Sequence, residues 1–142
     1  MTRLYMLDTN TVSYILKGSS PSARHRLAHL HQDEVACISS ITAAELWYGL
    51  AHIGASEPRR NALQTFLSRL QVLPWGSQEA AAYGVFRAQQ ESLGKPLGPL
   101  DTLIAAHSIA VHATLVSSDA AFRHAAGLHA LESWAVDPGP RI

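Results

Sequence analysis

A lone cysteine, Cys37, rules out a disulfide within the chain, and with it the stapled scaffolds of small secreted domains, so a reducing, cytoplasmic setting is expected. Charge is scarce as well. Charged residues make up 15%, and Lys plus Arg (11) match Asp plus Glu (11), for a formal net charge of zero. That excludes a tight, charge-driven nucleic-acid binder of the histone or repressor type. It leaves room for an enzyme on nucleic acid, because net charge is blind to local clusters of acid and cation. No apolar run approaches the ~20 residues of a membrane-spanning helix. The opening MTRLYMLDTN meets Asp8 before the apolar segment of a signal peptide can form, so a soluble protein with no membrane association is expected. Repeats, low-complexity tracts and obvious linkers are missing too.

What is present suits one domain over residues 1–142. Apolar residues make up 47%, and a chain near this length hides roughly 68–70% of its unfolded surface on folding. Short β-like runs alternate with longer helical patterns. RLYML (3–7), VACIS (35–39), LQVLPW (70–75) and TLVSS (114–118) read as strands, and LHALESW (128–134) as a weaker fifth. Helical spacing marks 10–18, closed by Gly18, then 22–31 after Pro21, and 41–53. It resumes over 59–70, where Leu63, Phe66, Leu67 and Leu70 form a stripe, and over 77–92, before Gly94. A last long helix over 99–113 sets Leu100, Leu103, Ile104, His107 and Val111 on one side, and DAAFRHA (119–125) is a short helix. Strands alternating with helices favour an α/β fold with a parallel, sandwiched sheet. Ligands of such sheets sit beyond the carboxyl ends of the strands.

That rule selects four carboxylates. Asp8 and Asp119 each follow a strand, Asp101 opens the helix before the fourth strand, and Glu45 lies early in the helix after the second. Each has a structural explanation of its own: an Asx-turn at Asp8, a capping box of Glu45 with Thr42, a first-turn acid at Asp101, an N-cap at Asp119. Together they ask for more. Asp8, Glu45 and Asp101 are embedded in apolar sequence (YMLDTN, ITAAELW, GPLDTLIAA), with no Lys or Arg close by. Ionised carboxylates in such settings are costly unless paired, and a hard cation such as Mg²⁺ suits oxygen ligands. Asp33, Glu34, Glu57, Glu79, Glu91, Glu132 and Asp137 fall in turns or beside polar residues and read as solvated.

Eight histidines invite a zinc site, yet His25, His29 and His31 lack a placed further ligand and no cysteine cluster exists, so they read as a solvated helix face. His107 reads as a hydrogen-bonded core or interface residue, and Arg87 as a surface arginine with RNA phosphate as its functional alternative.

Four segments in this order, LDTNTVSYIL, ISSITAAELWYGL, PLGPLDTLIAAHSI and TLVSSDAAF, resemble the PIN domain, and within it the VapC-type toxins of prokaryotic toxin–antitoxin pairs. The resemblance spans nearly the whole chain. It implies a PIN-like three-layer α/β/α fold with a mostly parallel central sheet of four to five strands. It implies a Mg²⁺-dependent endoribonuclease, with Mn²⁺ as a substitute ion, in which Asp8, Glu45, Asp101 and Asp119 are both metal ligands and catalytic residues. Thr9 or Asn10 would support Asp8 by hydrogen bonds, and Ser118 would contact a metal-bound water or phosphate. Many relatives carry Thr-Asn where this chain has Ser117 and Ser118. The implied partners are an RNA substrate, a cognate antitoxin near the helix of Trp47 and Tyr48, and a second copy in a homodimer. A receiver-like phosphoacceptor domain would want an acidic pair after the first strand and a lysine after the last, and the only lysines are Lys17 and Lys95. A PIN-like binding module without catalysis would not need four intact acids.

Overall fold

The structure, a computed structural model, describes residues 1–135; Asp137, read above as solvated, lies outside them. Five strands form one sheet: β1 (Arg3–Leu7), β2 (Glu34–Ser39), β3 (Gln71–Leu73), β4 (Thr114–Val116) and β5 (Ala130–Glu132), in the order β3-β2-β1-β4-β5. All four ladders are parallel. Among the described residues six helices connect them: α1 (Thr9–Lys17), α2 (Pro21–Ala28), α3 (Ser40–His52), α4 (Glu57–Ser68), α5 (Ser77–Ser92) and α6 (Pro99–Ala110). A short 3-10 helix, Ala120–His124, follows β4.

Strand periodicity builds the layers. Successive side chains point to opposite faces, so Tyr5, Leu7, Ile38 and Val116 pack with Val12, Ile15, Leu46 and Leu63 from α1, α3 and α4. Met6, Cys37 and Leu115 face the other way, onto Phe86 of α5, Ile104 and Ala105 of α6, and Phe122 of the 3-10 helix. The result is the α/β/α sandwich expected of near-continuous apolar strands buried on both faces. Burial pushes the Cys37 thiol up to about 12. Gly18 ends α1 in the left-handed region (φ 69°), with its N–H bonded to Ile15 O.

Several expectations change. Helix α2 stops at Ala28, because His29 leaves the helical region (φ −122°, ψ 42°). Leu100 is exposed, since α6 buries Thr102, Ile104, Ala105, Ala106, His107 and Ser108 instead. Glu34 and Glu79 are buried rather than solvated. The Glu34 carboxylate receives both Arg26 guanidinium N–H groups at 3.1 and 2.9 Å and the His31 backbone N–H at 2.9 Å. Arg26 first, then that N–H, holds it well below the usual carboxylate range. Glu79 Oε1 accepts the Gly76 N–H at 2.8 Å at the start of α5. His25 and His29 are exposed with their rings stacked 4.0 Å apart.

Candidate metal-dependent active site

The sheet order places the site. From β1 the chain moves to β2 and β3 on one side, then crosses through α5 and α6 to β4 on the other. The crevice beyond the carboxyl ends of β1 and β4 is therefore the topological switch point. Register brings the chemistry there: Leu7 pairs with Val116, so the next residues, Asp8 and Ser117, stand side by side. Asp8 is buried and caps α1, its Oδ1 accepting the Thr11 N–H at 2.9 Å. Its Oδ2 accepts the Ser117 hydroxyl at 2.6 Å. Ser117 Oγ in turn accepts the Asp119 N–H at 3.0 Å, and Asp119 Oδ1 caps the 3-10 helix through the Ala121 N–H. One serine thus fixes two acids from different strands.

Glu45 and Asp101 enter from α3 and α6. Ser39, at the end of β2, caps α3, so the Thr42–Glu45 capping box does not form. Glu45 Oε1 instead accepts the Thr9 hydroxyl at 2.8 Å, across from α1. Asp101 sits in the first turn of α6, after Gly98 and Pro99. Burial, then the charges of Asp119, Asp8 and Glu45, raise its carboxyl to about 6. Asp8, Glu45 and Asp119 thus all lie near enough to bear on Asp101. Behind them, His107 of α6 bonds through Nδ1 to Ser39 Oγ at 2.8 Å, tying α6 to the start of α3. The imidazole is fully buried, and burial lowers its pKa.

The donor set fits a hard divalent cation. It is all oxygen, and none of the four acids is ion-paired to Lys or Arg among the described residues. No three His, Cys, Asp or Glu side chains there are drawn together tightly enough to form a finished cage. Mg²⁺ does not require one, since it binds through one or two carboxylates and keeps several waters. The supporting residues differ from expectation. Thr9 serves Glu45 rather than Asp8, and Asn10 is exposed with no side-chain hydrogen bond to Asp8. Ser118 turns to Ser133 Oγ at 2.8 Å. Ser117, which the resemblance sets together with Ser118 at the Thr-Asn position of relatives, supports Asp8 and the Asp119 backbone instead. Arg87, on exposed α5 surface, bonds Tyr83 Oη at 3.0 Å and pairs with Glu91 at 3.6 Å.

Comparisons with known proteins agree with this fold. The PIN domain family matches residues 5–128. Ribonuclease VapC2 of Rickettsia felis is 37% identical over 116 residues, covering 82% of this chain and 87% of that protein. The tRNA(fMet)-specific endonuclease VapC of Salmonella typhimurium is 39% identical over 104 residues, covering 73% and 77%. The crystal structure of VapBC2 from Rickettsia felis bound to a promoter DNA fragment superposes with a TM-score of 0.86 at 36% identity, covering 92% of this chain and 98% of that one.

Proposed function

The chain belongs to the PIN domain family and is an endoribonuclease of the VapC type, and from that premise we propose how its residues cut RNA and what restrains them. Asp8, Glu45, Asp101 and Asp119 hold the divalent ion on which such nucleases depend, Mg²⁺ in the cell with Mn²⁺ as a working substitute. The bound ion supplies positive charge to the phosphate and lowers the pKa of an attacking water. The protein's part is orientation. Ser117 donates to Asp8 and Thr9 to Glu45, so each carboxylate presents its remaining lone pairs to the crevice. Asp101, whose charge burial and the other three acids disfavour, gains from the cation. The convergence of four carboxylates on the crevice between β1 and β4 carries this reading.

An antitoxin is the chain's partner, as in the VapBC complexes it resembles. We place it in the groove between α1, α3 and α4, about 490 Å³ in volume and lined by Thr9, Leu16, Glu45, Leu50, Ile53 and Arg59. This groove opens at Glu45, so its occupant covers an acid of the site. Among the described residues no helix is long and apolar enough to cross a membrane; the toxin role puts the chain in the cytoplasm, as a homodimer. The test is incubation of purified protein with a panel of RNAs, tRNA(fMet) included, in Mg²⁺ or Mn²⁺. Cleavage that EDTA stops and that Asp8→Asn or Asp101→Asn abolishes supports the reading. Cleavage indifferent to EDTA, or none after removal of any antitoxin, overturns it.

A further inference from the structure

The β4 side of the crevice opens into a second recess. Ser117, Ser118 and Asp119 line one part as the chain leaves β4, Glu132 at the end of β5 and Ser133 just after it line another, and Arg123 of the 3-10 helix completes the lining. Its volume is about 210 Å³. Three of its polar groups are already engaged, Asp119 through Oδ1 with the Ala121 N–H at 2.9 Å. Ser117 donates to Asp8 and accepts from Asp119, and Glu132 Oε1 accepts the Trp134 indole N–H at 3.1 Å. Three remain available. Ser118 and Ser133 are exposed hydroxyls 2.8 Å apart, so one proton joins them and the other is free to donate. The Arg123 guanidinium is exposed and pairs with no carboxylate among the described residues.

A forked cation beside two hydroxyls is a donor set for anionic oxygen. It lies next to Asp119, yet Arg123 is not among the charges that bear on Asp101. The guanidinium lines the recess together with Asp119 but does not bear on Asp101, which sets it at a neighbouring position along a bound strand. We propose that this recess is a phosphate subsite of the RNA, in which Arg123, Ser118 and Ser133 hold a phosphodiester adjacent to the one that is cut. The inference rests on the ribonuclease reading above. It assigns substrate positioning to residues outside the metal-binding set, and Arg123 acts through binding rather than chemistry.

The experiment pairs Arg123→Ala with RNA substrates carrying one neutral methylphosphonate linkage, moved stepwise along both sides of the cut. On all-phosphate RNA, Arg123→Ala raises KM about tenfold. It leaves kcat and the Mn²⁺-induced rise in melting temperature unchanged. The slope of log affinity against log salt falls by about 0.7, the value of one single-strand phosphate contact. In the wild type, one neutral linkage beside the cut produces the same loss, and in Arg123→Ala that linkage produces none, because the contact is already gone. Arg123→Lys recovers part of the affinity, and Ser133→Ala loses a smaller share. A variant with wild-type KM and salt slope, or equal losses in both proteins at every linkage, overturns the subsite. Should the wild type cleave no RNA, the ribonuclease reading fails by itself. Binding of the same oligonucleotides in Ca²⁺, read by fluorescence anisotropy, then decides the subsite: weaker binding by Arg123→Ala supports it, and equal or no binding overturns it.

Discussion

Replacing Asp101 by Asn keeps the shape of the side chain and removes its charge, so the difference between the two proteins reports the charge alone. In the metal-free fold the carboxyl sits at about 6 against an ordinary 3.8, raised by burial and then by Asp119, Asp8 and Glu45. The folded chain therefore keeps a proton that the unfolded chain has released between those values. Stability of the wild type falls as pH rises through that window and stays lowered above it. A shift of about two units corresponds to about 3 kcal/mol, and screening at a half-buried site leaves about 1.5 kcal/mol. For a domain of this size that is about 5 °C in melting temperature. Scanning fluorimetry in EDTA should show Asp101→Asn melting higher than the wild type by about that much near pH 7.5, with the gap closing near pH 4. Added Mn²⁺ should reverse the order, because an ion at a hundred times its dissociation constant contributes about 2.7 kcal/mol to whichever protein binds it. A variant that melts lower in EDTA, or a gap independent of pH, would refute the claim that Asp101 carries an unpaired charge.

Ser117→Ala removes the hydroxyl between Asp8 and Asp119 and should cost about 2 kcal/mol in urea unfolding, the worth of a hydrogen bond to a charged group, together with most of the cleavage activity; unchanged activity would separate this serine from the site. Glu34→Gln should lower the melting temperature at neutral pH. Because the folded Glu34 titrates well below its ordinary value, that deficit should hold above the usual carboxylate range, shrink steadily as the buffer is acidified below it and vanish only in strong acid, which a pH series of melting curves will reveal. Gly18→Ala forces a side chain into the left-handed region and should cost about 1 kcal/mol, measured by the same unfolding assay. Cys37, buried with its thiol pushed up to about 12, should resist thiol reagents until urea opens the fold; rapid labelling of native protein would contradict its packing.

Much of the fold was legible because period and punctuation agree. RLYML and VACIS are apolar on both faces, and each ends at a residue able to cap the next helix, Asp8 and Ser39. Gly18 marks the end of α1, and the expected 77–92 matches α5 at both ends. The four acids were readable as strand-end and helix-start residues. Their partners were not, because those lie far away in sequence. Nothing near Glu45 announces that Thr9 will reach it, and TLVSS does not say which serine will turn toward Asp8. Glu34 misled for the same reason. DEV reads as a turn followed by a strand, and the burial comes from Arg26, presented by a helix whose position only the packed sheet defines. Ser39 at the start of α3 took the capping role that the T-x-x-E spacing offered to Thr42, since a cap needs extended backbone and Thr42 is already inside the helix.

The long reach from Asp8 to Ser117 also sets a timetable for the newborn chain. The groove at α1, α3 and α4 draws only on residues between Thr9 and Leu63, so all of its lining is made while the second half is still being translated. The catalytic crevice has only one wall until β4 arrives and docks against β1. About fifty residues separate Leu63 from Thr114, which at about 5–20 residues per second is a delay of a few seconds. Chains stalled before Thr114 carry Asp8, Glu45 and Asp101 but cannot join them to Asp119, so they are inert fragments rather than weak nucleases. An inhibitor that docks in the groove proposed above would find its residues made before there is any activity to inhibit.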